Sequence, residues 1–157
     1  MKKANSAQFD RVEATLMMQF PDINIEEVIG EMGVMLSRKT NRIRSVGDLQ
    51  SGQILFSLRT SDGRYVPSFE GGLRIIKSGY EKNRIFISKD AVPFVAKGKS
   101  AFCKHVLDVD DNIVPGLEVF VMSEDNELIA IGSSFHPGYA MQLLQNGVAA
   151  KIKHSRD

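Results

Sequence analysis

The chain has 157 residues, 43% of them apolar and 25% charged, which excludes fibrous and wholly disordered architectures and allows one ordinary domain or two small ones. Its 20 Lys and Arg against 19 Asp and Glu leave a formal charge of +1, so the global balance names no partner. The single cysteine, Cys103, excludes an internal disulfide and a cysteine-based zinc site, and the apolar runs fall far short of the roughly 20 residues of a membrane-spanning helix.

Met1-Lys2-Lys3-Ala4-Asn5 has no apolar stretch behind its lysines, so a secretory signal is not expected, and a cytoplasmic protein without metal or cofactor is. Asn5-Ser6, followed by Phe9, Val12, Leu16 and Phe20, predicts an N-capped amphipathic helix closed by Pro21. Asp22 to Met35 reads as a second helix, with Ile25, Val28, Ile29 and Met32 on one face and glycines at 30 and 33 weakening it. From Ser37 the period changes: Ile43 and Val46 begin an extended stretch, and Ile54-Leu55-Phe56-Ser57-Leu58 is strand-like. Ser61-Asp62-Gly63-Arg64 is a hairpin signal, with Tyr65-Val66 as the returning strand. Glu70 to Ser78 predicts a helix with Leu73, Ile76 and their neighbours inward, ending near Gly79.

Gly79-Tyr80-Glu81-Lys82-Asn83 is polar, carries a helix-stopping glycine and separates two rhythms, so it is the expected domain boundary. Beyond it come short apolar strands at Arg84–Ser88, Ala101–Val109, Leu117–Met122, Leu128–Gly132 and Val148–His154. Helical pieces at Asp90–Lys97 and Gly138–Gln145 interrupt them. Many short strands with few helices imply a small barrel, which closes on itself and so removes sticky edges.

Sites of chemistry are scarce. Gly98-Lys99-Ser100 resembles the end of a phosphate-binding loop, but position 93 is proline where that loop needs glycine. His105, His136 and His154 lack the spacing of a metal pair. Cys103, between apolar neighbours, reads as a buried inert thiol. The acids at 108–127 fall mostly in or beside turns, where they favour solvent.

Charge becomes informative when divided along the chain. Residues 1–31 carry a net −3, residues 32–83 a net +5 and residues 84–105 a net +4. Residues 106–150 contain seven acids and no Lys or Arg. Such blocking implies cationic and acidic faces within a near-neutral total. The densest cationic run is Arg38-Lys39-Thr40-Asn41-Arg42-Ile43-Arg44, whose long cations and interleaved hydroxyl and amide groups suit phosphate contacts.

The second half resembles a PUA domain, the small RNA-binding pseudo-barrel of RNA-modifying enzymes. The resemblance rests on Asp90-Ala91-Val92-Pro93-Phe94-Val95-Ala96-Lys97-Gly98-Lys99-Ser100, then Val114-Pro115-Gly116-Leu117-Glu118-Val119, Ile129-Ala130-Ile131-Gly132 and Asn146-Gly147-Val148-Ala149-Ala150-Lys151, in that order. The first half resembles the domain preceding PUA in archaeal tRNA-guanine transglycosylases, which begin archaeosine formation. It does so through Ser37–Arg44, Ile54–Arg59, Asp62-Gly63-Arg64-Tyr65-Val66-Pro67 and Glu70-Gly71, with Asn41 where that family often has glycine.

The resemblance implies an α+β protein: an N-terminal α/β pre-PUA domain over residues 1–82, then a PUA mixed β pseudo-barrel over 83–157. It implies an RNA-binding face bearing Lys89, Lys97, Gly98, Lys99, Ser100, Lys104, Lys151 and Lys153, to which the sequence adds Arg38, Lys39, Arg42 and Arg44. Phe102 or Tyr139 is a candidate for stacking an unpaired base, although core packing is the leading expectation for both. The transglycosylase's catalytic barrel, with its aspartates and zinc ligands, has no counterpart here. The expectation is therefore a non-catalytic tRNA-binding protein, recognising the acceptor stem and 3′ CCA end and acting in trans with a tRNA-modifying enzyme, with no membrane partner. The competing reading is a protein–protein adaptor that uses the barrel without RNA affinity of its own.

Overall fold

A computed structural model describes residues Met1–Asp157. The chain divides into two compact units, Met1–Tyr80 and Glu81–Asp157.

Unit 1 is a five-stranded antiparallel sheet with three helices. Its strands β1 (Lys2–Lys3), β2 (Met32–Leu36), β3 (Ile43–Asp48), β4 (Ile54–Leu58) and β5 (Tyr65–Pro67) lie in sequence order. Helix α1 (Ser6–Gln19) starts at a reciprocal cap, in which the Asn5 side chain accepts from the Gln8 N–H and the Gln8 side chain accepts from the Asn5 N–H. Val12 and Leu16 form its buried stripe, as the apolar spacing predicts. Helix α3 (Phe69–Lys77) is capped by the Ser68 hydroxyl, which accepts from the Gly71 N–H at 3.0 Å. Its inward residue is Ile75, while Leu73 and Ile76 are only half-buried. The most buried side chain is thus a neighbour of the expected pair, and Gly71 lets the first turn approach the Leu55 backbone closely.

The expected helix over 22–35 is half wrong. Helix α2 covers only Ile25–Ile29, and Gly30, at φ +71°, ends it. The chain then enters β2, where Met32, Gly33 and Val34 are all buried between β1 and β3. An apolar run of five residues satisfies helix and strand spacing equally, and the glycine decides between them.

Unit 2 is a six-stranded mixed sheet in the order β7-β11-β10-β9-β6-β8. The strands are β6 (Arg84–Ile87), β7 (Ala101–Phe102), β8 (Val106–Val109), β9 (Glu118–Met122), β10 (Leu128–Ser134) and β11 (Val148–Ser155). Only β6 and β9 run parallel. Two short helices, α4 (Val92–Val95) and α5 (Gly138–Met141), complete the unit. The expected single strand over 101–109 is instead broken at Cys103–His105 by a 3-10 turn. That break separates β7 from β8, the two edges of the sheet, so one uninterrupted stretch of chain joins both edges and all but closes the barrel. Ile85, Ile87, Val119, Val121, Ile129 and Ala149, all fully buried, fill it with Val95, Ile113 and Met141. Each large aliphatic side chain so buried contributes about 1.5–3 kcal/mol against exposure. The architecture is α+β with a C-terminal pseudo-barrel, as the sequence predicts. No helix is long and apolar enough to cross a membrane.

Candidate nucleic-acid interface

In unit 2 the segment from α4 to the 3-10 turn builds a shallow groove. Pro93 sits in the first turn of α4, which directs Val95 into the core and leaves Phe94 57% exposed. After the helix the Gly98 and Lys99 N–H groups bond back to the Val95 and Phe94 carbonyls at 2.9 and 3.1 Å. Gly98 has φ +95°, a left-handed conformation that other residues adopt only with strain, and this reverses the chain into β7. The reversal brings the Lys99 ammonium to 5.8 Å from the centre of the Phe94 ring, a cation–π contact.

The resulting groove, about 180 Å³, is lined by Ala91, Phe94, Val95, Lys99, Ser100, Phe102, Lys104 and His105. Phe102 and Lys104 also line a neighbouring depression of about 260 Å³ with Gln145, Asn146 and Gly147. The two sides are tied where the Cys103 N–H donates to the Gly147 carbonyl at 3.0 Å and Val148 pairs with Phe102. The Cys103 thiol itself is buried, and burial pushes its pKa up, away from the thiolate a nucleophile requires.

Lys99, Ser100 and Lys104 thus converge on one groove. Ala150 pairs with Ala101 across the β7–β11 ladder, and Lys151, the next residue of β11, is exposed and does not line the groove. Lys89 and Lys97 are exposed, before and after α4, without lining the groove. Lys153 is already engaged: its ammonium is 3.7 Å from the carboxylate of buried Glu118. Phe102 and Tyr139 are 44% and 66% exposed, so the expectation that they pack in the core is overturned for both. Phe94, Gln145 and Asn146 are not among the site residues expected from the sequence, and His105 is weighed there only as a metal ligand. The signal for Phe94 lies in the inward Ala91–Val95 pair, four residues apart, which forces position 94 outward.

Unit 1 carries a separate cationic surface. Ser37 to Arg42 is the tight turn between β2 and β3, closed by the Ser37 N–H donating to the Arg42 carbonyl at 2.7 Å, with Asn41 at φ +59°. Asparagine tolerates that conformation nearly as well as glycine does, so the departure from the expected glycine leaves the turn intact. Arg38 and Lys39 stand exposed at its tip. Arg42 and Arg44 line a trough of about 620 Å³ whose other polar walls are the hydroxyl residues Ser37, Thr40, Ser45, Ser57 and Thr60. Beside Arg42 a further depression adds Arg11 and Thr15 from α1. Arg11 escapes the sequence reading because its helix is locally acidic; only the fold brings it to the β3 arginines.

Residues 83–156 match the PUA domain, and residues 10–80 match the patch-forming domain C2 of tRNA-guanine transglycosylase. The tRNA-guanine(15) transglycosylase of Methanocaldococcus jannaschii is 34% identical over 154 residues, covering 97% of this chain and 23% of that enzyme. The enzyme of the same name from Thermococcus onnurineus is 34% identical over 128 residues, 81% of this chain and 22% of its own length. The chain therefore spans under a quarter of the length of these curated relatives. Among solved structures, a conserved PUA domain protein from Thermoplasma acidophilum superposes with a TM-score of 0.75 at 19% identity, covering 98% of this chain and 92% of that one. A hypothetical protein from Pyrococcus horikoshii gives 0.73 at 23% identity, covering 99% and 94%. These two likenesses establish the fold alone.

Proposed function

The chain is a PUA-domain protein with a transglycosylase-type patch-forming domain ahead of its barrel, and from that premise we propose that it binds tRNA in the service of tRNA modification and performs no chemistry of its own. The observation that carries the proposal is the groove where two exposed phenylalanines, Phe94 and Phe102, stand among Lys99, Lys104 and Ser100. Exposed aromatic rings beside lysines suit unpaired bases joined by phosphates. Each base–aromatic stack is worth about 1–3 kcal/mol, and the cations supply a salt-sensitive attraction. The groove is shallow, so it takes a strand end and not a buried small substrate.

In this reading the lysine face holds the acceptor stem through its backbone and A-form shape, and the aromatic groove takes the 3′ CCA end. The arginine trough of unit 1 supplies further phosphate contacts. Catalysis comes from a separate transglycosylase-type enzyme, for which this protein holds the substrate.

The test is fluorescence anisotropy of labelled tRNA, with and without its 3′ CCA, across a salt series. We expect affinity to fall linearly with log salt, to drop without CCA, and to weaken several-fold in Lys97→Ala/Lys99→Ala. Phe102→Ala should abolish the CCA effect while sparing the salt dependence. Salt-sensitive binding indifferent to CCA would discard the acceptor-end geometry, and an absence of binding at low salt would discard the RNA reading.

A further inference from the structure

A second set of exposed apolar residues in unit 2, Leu107, Val114, Tyr139 and Leu143, lies on α5 and on the segments that hold it, away from the groove of Phe94 and Phe102. Helix α5 packs beside β8, where the Gln142 side-chain amide donates to the Leu107 carbonyl at 2.6 Å. The start of α5 rests on the loop after β8: the Gly138 N–H donates to the Ile113 carbonyl at 2.9 Å, and a Cβ at 138 would overlap the Asp110 carbonyl oxygen. Only glycine permits this approach. The Leu143 and Leu144 N–H groups both bond to the Ala140 carbonyl, which extends the helical turn past Met141. Met141 is fully buried, whereas Tyr139 and Leu143, four residues apart on the other side of the turn, are 66% and 79% exposed.

Leu107 and Val114 belong to the two segments bonded to the α5 turn and are each about half exposed, and Asp108 and Asp111 of the same segments are exposed. The whole stretch from Val106 to Ala150 holds no Lys or Arg. Large apolar side chains left together in water mark binding surfaces more often than chance. Here they carry a carboxylate rim, which repels phosphate, so the surface is unsuited to RNA. The cationic face begins only past Leu143, where Lys104 meets Gln145 and Asn146.

The geometry points to a protein-docking surface, formed by Leu107, Val114, Tyr139 and Leu143 with Asp108 and Asp111, for a basic amphipathic segment of a partner protein. Apolar side chains of that segment cover Tyr139 and Leu143, and its Lys or Arg residues meet the two aspartates. Charge complementarity selects this occupant over nucleic acid and over an acidic peptide. The inference stands apart from the RNA reading, since neither surface is needed for the other.

The probe is a fluorescent helical peptide with leucines on one face and lysines on the other, alongside a counterpart with glutamates for lysines. We expect the lysine peptide to bind the full chain, the glutamate peptide not to bind, and amide chemical-shift changes to fall in residues 107–114 and 138–144. Tyr139→Ala/Leu143→Ala should weaken peptide binding about tenfold or more, Asp108→Asn/Asp111→Asn several-fold, and Lys97→Ala/Lys99→Ala not at all. The substituted side chains are exposed, and unchanged thermal melts establish that the variants fold. Failure of the peptide to bind, or equal binding to the Tyr139/Leu143 variant, overturns the proposal. A loss of tRNA affinity in that variant matching the lysine variant assigns the surface to RNA instead. A concentration-dependent dimer that Leu143→Asp dissolves assigns it to a second copy of this chain, which equally overturns it.

Discussion

Arg59 and Asp62 brace the hairpin between β4 and β5 by a forked pair, with Arg59 Nη2 2.7 Å from an Asp62 oxygen and Nε 3.1 Å from the other. The Arg64 N–H also donates to Asp62. The Arg59 hydrogen bonds are the main reason the Asp62 carboxyl titrates at about 2 instead of 3.8. A folded pKa held below the unfolded one stabilises the protein above the unfolded value. That stability is present from about pH 4 upward and is lost as pH falls towards about 2. The Asp62 side chain is 40% exposed, so solvent screening keeps the contribution to under about 1 kcal/mol. Urea titrations of wild type and Asp62→Asn should therefore converge near pH 2 and separate by pH 5, with wild type the more stable. A gap independent of pH would mean that the turn uses the side chain's shape and not its charge.

At the scale of elements, Arg74 is the main polar tie of unit 1. From α3 its guanidinium bonds to Glu70 at 3.2 Å, to the Val28 carbonyl of α2 at 3.2 Å, to Asp48 of β3 at 3.0 Å and to the Gln53 side chain at 3.1 Å. The Arg74 bond is the chief cause of Asp48's lowered pKa. Hydrogen bonds to charged groups contribute about 1.5–3 kcal/mol when part-buried. Arg74→Ala should therefore lower unfolding stability by about 2 kcal/mol, measured as a reduced denaturant midpoint at unchanged slope. Arg74→Lys should recover little, because an ammonium cannot span four acceptors in a planar fork. An Arg74→Ala variant as stable as wild type would show that apolar packing alone fixes α3. Only the Glu70–Arg74 pair, four residues apart on the expected helix, carries a local signal; the Val28, Asp48 and Gln53 partners lie 21 to 46 residues away and depend on the fold.

What was legible had a strong local signal: the capped stripe of α1, the Asp62-Gly63 hairpin and the glycine that reverses the chain after α4. What was not legible required tertiary information. Met32–Leu36 is too short for its apolar spacing to tell helix from strand, and its burial between two strands settles it. Ala101–Val109 is apolar-rich and reads as one strand, yet the barrel turns a corner at Cys103–His105. The cationic candidates were readable as charge and Phe102 as an aromatic candidate, but the exposure of the rings was not. An exposed Phe94 or Phe102 has the same letter as a buried one.

For the molecule as a whole, a charge of +1 conceals two cationic surfaces, one in each unit, and an acidic stretch over residues 106–150. If both cationic surfaces grip one RNA, their contributions combine through a single ligand. Each lost phosphate contact then lowers the slope of log affinity against log salt by about 0.7–0.9. Arg42→Ala/Arg44→Ala in unit 1 and Lys97→Ala/Lys99→Ala in unit 2 share no hydrogen-bond or ion-pair partner, so their free-energy losses should add in the quadruple variant. The expected pattern is two shallower slopes and one shallower still, with binding energies summing to within about 0.5 kcal/mol. Should only the lysine variant lose affinity, unit 1 does not touch RNA, and its arginines meet some other anion. Should each pair alone abolish binding, the two units act as one obligate site in which neither surface holds RNA without the other.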